Sequence, residues 1–144
     1  MSAVALAIAW LALASPSRPA SAETRFTVVV NASNPEKGAD SEALTEIFLK
    51  QKKKWTNGEG ILPVDQSVVS PVRHTFTTVV FGQQASAIQS YWQGEVAAGR
   101  DMPPPVRTSD EDVLAFVAAN AGAIGYVSSA AKLPPTVRGL RVER

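Results

Sequence analysis

Cysteine is absent from the 144 residues and histidine occurs once, as His74. Without cysteine there is no disulfide, no thiol nucleophile and no zinc-thiolate site. One histidine and no cysteine leave only carboxylates for a metal. The one acidic run, Asp110-Glu111-Asp112, falls at a helix start, where acids are favoured by the dipole. His74 is the only partner a serine nucleophile could have. It follows Ser70 by four residues, but no G-x-S-x-G elbow surrounds that serine, so His74 reads as a surface histidine rather than a base. Neither a G-x-x-x-x-G-K phosphate loop nor a G-x-G-x-x-G turn is present. Charge is scarce too, with 19% charged residues and a formal net charge of +1. Nucleic-acid binding needs a strong basic excess, and nothing here supports it. Catalysis, resident metals and cofactors are therefore not expected.

Long apolar runs are also missing, with one exception. Residues 4–14 are unbroken hydrophobics, followed by Ser15-Pro16-Ser17-Arg18-Pro19 and then Ala20-Ser21-Ala22. The run is short for a bilayer-spanning helix, which takes about 20 residues. The small residues fit an A-x-A cleavage site. Residues 1–22 read as a secretory signal peptide cut before Glu23, although no Lys or Arg precedes the run; an uncleaved anchor or a buried helix is the alternative. Cleavage would remove Arg18 and leave a formally neutral chain, residues 23–144, as one domain, exported to the periplasm or secreted.

What is there is an ordinary globular composition, 45% hydrophobic, with strand and helix patterns that alternate. Phe26-Thr27-Val28-Val29-Val30-Asn31 is short and β-branched, a buried strand. The Asn-Pro and Gly of residues 32–39 make a loop. Asp40 or Ser41 caps a helix that buries Leu44, Ile47 and Phe48. The lysines at 50, 52, 53 and 54 read as a helix C-terminus and Asn57-Gly58 as a turn. Ile61-Leu62-Pro63-Val64 reads as an edge strand or extended segment, because of its proline. A helix over residues 85–97 places Ile88, Tyr91, Trp92 and Val96 toward a core, and Pro103-Pro104-Pro105 forms a stiff connector. Thr108 and Glu111 form a capping box, with Gly122 as a left-handed residue closing that helix. Ala123-Ile124-Gly125-Tyr126-Val127 is a buried strand, its Gly125 pointing to a close approach. Residues 137–142 alternate as a final, exposed-edge strand. The whole predicts an α/β fold, a three-layer sandwich of a small mixed sheet with helices.

The stretch most suited to chemistry is Ser70-Pro71-Val72-Arg73. Ser70 is a good N-cap, Pro71 suits the first helical position, and Val72, Phe76, Val79 and Val80 make an apolar stripe. A helix start with free amides, a hydroxyl and a guanidinium suits an oxyanion, although Ser-Pro also opens many helices that bind nothing.

Several of these segments together resemble the phosphate ABC-transporter substrate-binding protein family. They are Val28-Val29-Val30-Asn31, Leu44-Thr45-Glu46-Ile47-Phe48-Leu49-Lys50 with Lys54-Trp55, Ile61-Leu62-Pro63-Val64, Ser70 through Phe76, and Gly122-Ala123-Ile124-Gly125-Tyr126-Val127. The similarity runs from about Phe26 to Val142. It implies a fold like one lobe of a type II periplasmic binding protein and non-covalent binding of inorganic phosphate or another small oxyanion. It carries Ser70 and Arg73 over as the anion-binding helix start, and makes Asn31 and Ser33, after the first strand, candidates for the same rim. Partners would be a membrane transporter or another periplasmic protein. Two departures stand out: the chain has one lobe's worth of residues, and Val69-Ser70-Pro71 lacks the glycine of the family's Ser-Gly-Thr type loop. The alternative is an interaction protein that keeps the fold and acts through its open face on a partner or on a second copy of itself.

Overall fold

The computed structural model describes residues 25–82 and 85–143. The proposed leader lies outside them. The central strand is β1 (Phe26–Asn31). It pairs antiparallel with β6 (Ala123–Ser128) on one side and with β7 (Val137–Glu143) on the other. Two short strands flank these: β3 (Leu62–Pro63) runs parallel to β6, and β2 (Gly38–Asp40) parallel to β7. The order is β2-β7-β1-β6-β3, and β1 alone runs against the other four. A separate pair, β4 (Asp65–Gln66) with β5 (Val106–Arg107), is parallel and sits beyond the end of β3.

Alternation along the strands divides the core between two faces. Val28, Val30, Ile124, Tyr126 and Leu140 meet helices α1 (Ser41–Phe48) and α2 (Pro71–Val80). Val29, Ala123, Val127 and Val137 meet α4 (Asp110–Ala119). The result is the expected three-layer α/β sandwich around a mixed sheet. Asp40 caps α1 by accepting from the Ala43 N–H at 2.8 Å, and Leu44, Ile47 and Phe48 are its buried row. Among the described residues no helix is long and apolar enough to cross a membrane, and no group of three His, Asp or Glu side chains could hold a metal ion.

The structure departs from the sequence reading at several places, each for a physical reason. Strand β7 is interior rather than an edge, because Gly38-Ala39-Asp40, within and just past the predicted loop, pairs along its outer side. The α4 cap is Ser109, which accepts from the Asp112 N–H at 3.1 Å; Thr108 instead donates to the Asp112 carboxylate. Gly122 is not left-handed, since the positive-φ glycines are 58, 82 and 99. Its role is space: a Cβ there would lie 1.9 Å from the Gly60 carbonyl oxygen. Gly125 is equally close-packed, between the methyls of Val64 and Val113. On α2 the buried row is Val72, Phe76 and Val80, while Val79 is exposed. Helix α3 (Ala85–Ala97) forms where its periodicity predicts but buries none of its residues, so Tyr91 and Trp92 are only half covered.

Candidate functional site

Four of the five strands end at one edge of the sheet, and α2 begins above that edge. The chain leaves β3 through Val64, runs through the short strand β4 at Asp65-Gln66, turns at Val68-Val69 and enters α2 after the Ser70 cap. Ser70 has extended backbone, as an N-cap should, and its Oγ accepts from the Arg73 N–H at 3.4 Å. The same hydroxyl donates to Gln66 Oε1 at 2.8 Å. Pro71 has no N–H, and the His74 N–H goes to the Ser70 carbonyl at 3.1 Å. The first turn of α2 is thus largely satisfied from within.

Arg73 folds back over this turn. One guanidinium nitrogen donates to the Gln66 carbonyl at 2.7 Å, and another lies 3.3 Å from Asp65 Oδ2. Both side chains of that ion pair are about three-quarters shielded. The other Asp65 oxygen accepts from the Tyr126 hydroxyl and from the Gln66 N–H, the latter at 2.8 Å. Gln66 is fully buried, and its amide nitrogen donates to Asp110 Oδ1 and to the Tyr126 carbonyl, both at 2.9 Å. Asp110 Oδ2 accepts from the Ser128 N–H. Tyr126 is stacked flat on Phe76 at 3.9 Å, and burial, then the neighbouring Asp65 charge, push its hydroxyl pKa well above the ordinary tyrosine range. The result is a connected polar network: Ser70, Gln66, Arg73, Asp65, Tyr126 and Asp110, on an aromatic floor.

Sequence reasoning singled out Ser70 and Arg73 as candidates and did not single out the four residues networked with them, Gln66, Asp65, Tyr126 and Asp110. Their contacts span 44 to 61 residues between Gln66 or Asp65 and Asp110 or Tyr126, beyond local periodicity. The available signal was Tyr126 itself, a phenol in an apolar strand that must find a partner.

Asn31 and Ser33 are not brought to this network. Asn31 Nδ2 donates to the carbonyls of Val117 and Ala118 at 3.0 and 3.2 Å, closing the last turn of α4, while its Oδ1 accepts from the Ser33 N–H and hydroxyl. Asp110, at the other end of α4, touches the Ser70 network. Seven to eight residues at 1.5 Å rise put the two ends about 12 Å apart. The cause is topological. Because β1 runs against the other strands, its C-terminal residue Asn31 lies at the opposite edge from theirs. His74 is exposed on α2, with its side chain outside the network.

Beside Arg73 a groove of about 790 Å³ opens between α2, α3 and the proline connector. Phe48, Phe81, Ile88, Trp92 and Val96 line it, and among the described residues Asp65 and Arg73 are its only charged ones. Val68 and Val69, on the loop before Ser70, are 77% and 84% exposed.

No family model and no curated protein matches this sequence. Solved structures do match in fold. An ABC-type phosphate transport receptor from Vibrio cholerae superposes with a TM-score of 0.63 at 20% identity, over 83% of this chain and 46% of that one. A Clostridium perfringens structure containing bound phosphate, from a protein considered a phosphate ABC transporter substrate-binding protein, gives 0.63 at 17% identity, over 81% and 44%. A protein from Planctomyces limnophilus, considered phosphate-binding, gives 0.62 at 18%, over 82% and 41%. This chain spans less than half the length of each. Its fold is that of one part of the substrate-binding proteins of phosphate transport.

Proposed function

We propose that the chain is a solute-binding-type module, not an enzyme, that holds phosphate or a similar small oxyanion non-covalently at the start of α2. Ser70 and Arg73 would carry the site, Ser70 by its hydroxyl and Arg73 by charge. The observation that supports this most is that a capped helix start, with a guanidinium on it, stands over the strand ends in a fold shared with phosphate-transport proteins. Asn31 and Ser33 stand apart from that helix start and take no part in this reading. Export through residues 1–22, to the periplasm or beyond, belongs to the same proposal. Calorimetric titration of residues 23–144 with inorganic phosphate and sulfate tests it. Heat that saturates at millimolar anion or below is expected; no heat and no thermal shift would reject it.

The second reading, an interaction protein acting through its open face, is favoured by α3, none of whose residues is fully buried, and by exposed Val68, Val69, Val96 and Val106. A transporter subunit, another periplasmic protein or a second copy would be the partner. Light scattering after size exclusion separates the homodimer from the monomer.

A further inference from the structure

We propose that Asp65 is a built-in counterion that occupies Arg73 in place of an external anion and so holds the anion affinity of this site down. The inference rests on the anion-binding reading above and concerns how that site is regulated. Three observations carry it. First, the Asp65 carboxylate is fixed rather than floating: Oδ1 is held by the Tyr126 hydroxyl and the Gln66 N–H, which leaves Oδ2 turned to Arg73 at 3.3 Å. Second, Arg73 is held as well, because its Nη1 donates to the Gln66 carbonyl at 2.7 Å while its Nη2 faces Asp65. Third, among the described residues these two are the only charges lining the groove, and they offset each other. Ser70 repeats the pattern, with its hydroxyl proton given to Gln66.

An anion reaching Arg73 must share the guanidinium with Asp65 or displace it. Sharing puts two negative charges within several ångströms in a partly shielded site, where like charges repel strongly. Displacing Asp65 breaks a charge-assisted pair and leaves the partly shielded carboxylate with only the Tyr126 hydroxyl and the Gln66 N–H as donors. Replacing Asp65 by asparagine removes the charge, while the amide oxygen can still accept from Tyr126 and Gln66. The Arg73 Nη2 that faces Asp65 is then released for the ligand, while Nη1 keeps the guanidinium in place on the Gln66 carbonyl.

The test measures inorganic phosphate and sulfate affinity by calorimetry at low ionic strength, on the full chain and on D65N, D65S and E59Q. D65S covers the case in which D65N fails to fold. E59Q makes the same change in net charge on an exposed turn near Gly122, away from Arg73. The expected result is at least tenfold tighter binding by the folded Asp65 variants and none of that gain in E59Q. Binding by the wild type with no gain in either Asp65 variant overturns the counterion role and leaves the anion-binding reading standing. An equal gain in E59Q overturns it as well, by making the effect one of net charge. Failure of every form to bind at tens of millimolar anion overturns both.

Discussion

Gly122 offers a sharp test of the packing, because two accounts of it make opposite predictions. If it were a left-handed helix-closing glycine, alanine would cost about 1 kcal/mol and asparagine, which tolerates that conformation, would cost less. The structure instead makes it a contact point. A Cβ at Gly122 would sit 1.9 Å from the Gly60 carbonyl oxygen and 3.1 Å from its carbon, so the turn and the start of β6 must separate by well over an ångström. That separation falls on two further bonds, since the Gly122 carbonyl accepts from the Trp55 indole N–H at 2.9 Å and from the Leu62 N–H at 3.0 Å. Overpacking of this kind costs about 1–3 kcal/mol, and weakening the two bonds adds about 1 kcal/mol each. G122A should therefore lose about 3–5 kcal/mol, a large share of a domain's typical stability of about 5–15 kcal/mol. G122N should be worse than G122A. Urea unfolding followed by tryptophan fluorescence reads both, with G139A as control. Its added Cβ would find nothing nearer than Thr27 Cγ2 at 3.4 Å, so it should shift stability by no more than about 1 kcal/mol. G122A within 0.5 kcal/mol of wild type, roughly the scatter of neutral surface changes, or G122N more stable than G122A, would refute the close-approach account.

Other outcomes follow from the caps and the buried phenol. S109A should cost about 1 kcal/mol by denaturation and T108A little, because Ser109 is the α4 cap. N31A should lose about 1–2 kcal/mol, from two carbonyls left without their donor, yet leave anion affinity unchanged, since Asn31 sits at the far end of α4 from Ser70. Tyr126 ionisation is opposed by burial first and then by Asp65, so its folded pKa lies above its unfolded value of about 10. Its contribution to stability is then full below pH about 10 and is lost as pH rises beyond it. Unfolding measured across the alkaline range should show that loss in the wild type, and Y126F should lack it.

The sequence made the fold class and most elements legible because their signals are local. Val28-Val29-Val30, the Leu44-Ile47-Phe48 row and the Ser70-Pro71 start each declare themselves within a few residues. What stayed hidden depends on distant partners. Gly38-Ala39-Asp40 has no strand character of its own and is a strand only because β7 offers it an edge. Periodicity found α3 but could not tell whether anything covers its Ile88-Trp92-Val96 row. At the site, Ser70 and Arg73 followed from helix-start chemistry, whereas their internal partners required Gln66, Asp65 and Tyr126 to meet across the fold. That meeting changes the chemistry, since a guanidinium legible as available is already paired.

The reversed central strand also constrains the order of folding. Phe26 pairs with Ser128 and Val28 with Leu140, so both edges of β1 wait for residues synthesised about a hundred positions later. Helix α1 can form early, but the apolar valines it must cover lie on a strand with nothing to pair to. Closing loops of that length before any pairing is gained makes assembly slow. A nascent chain would therefore carry Val28-Val29-Val30 unpaired until β6 and β7 emerge, and the sheet would close in one late, cooperative step.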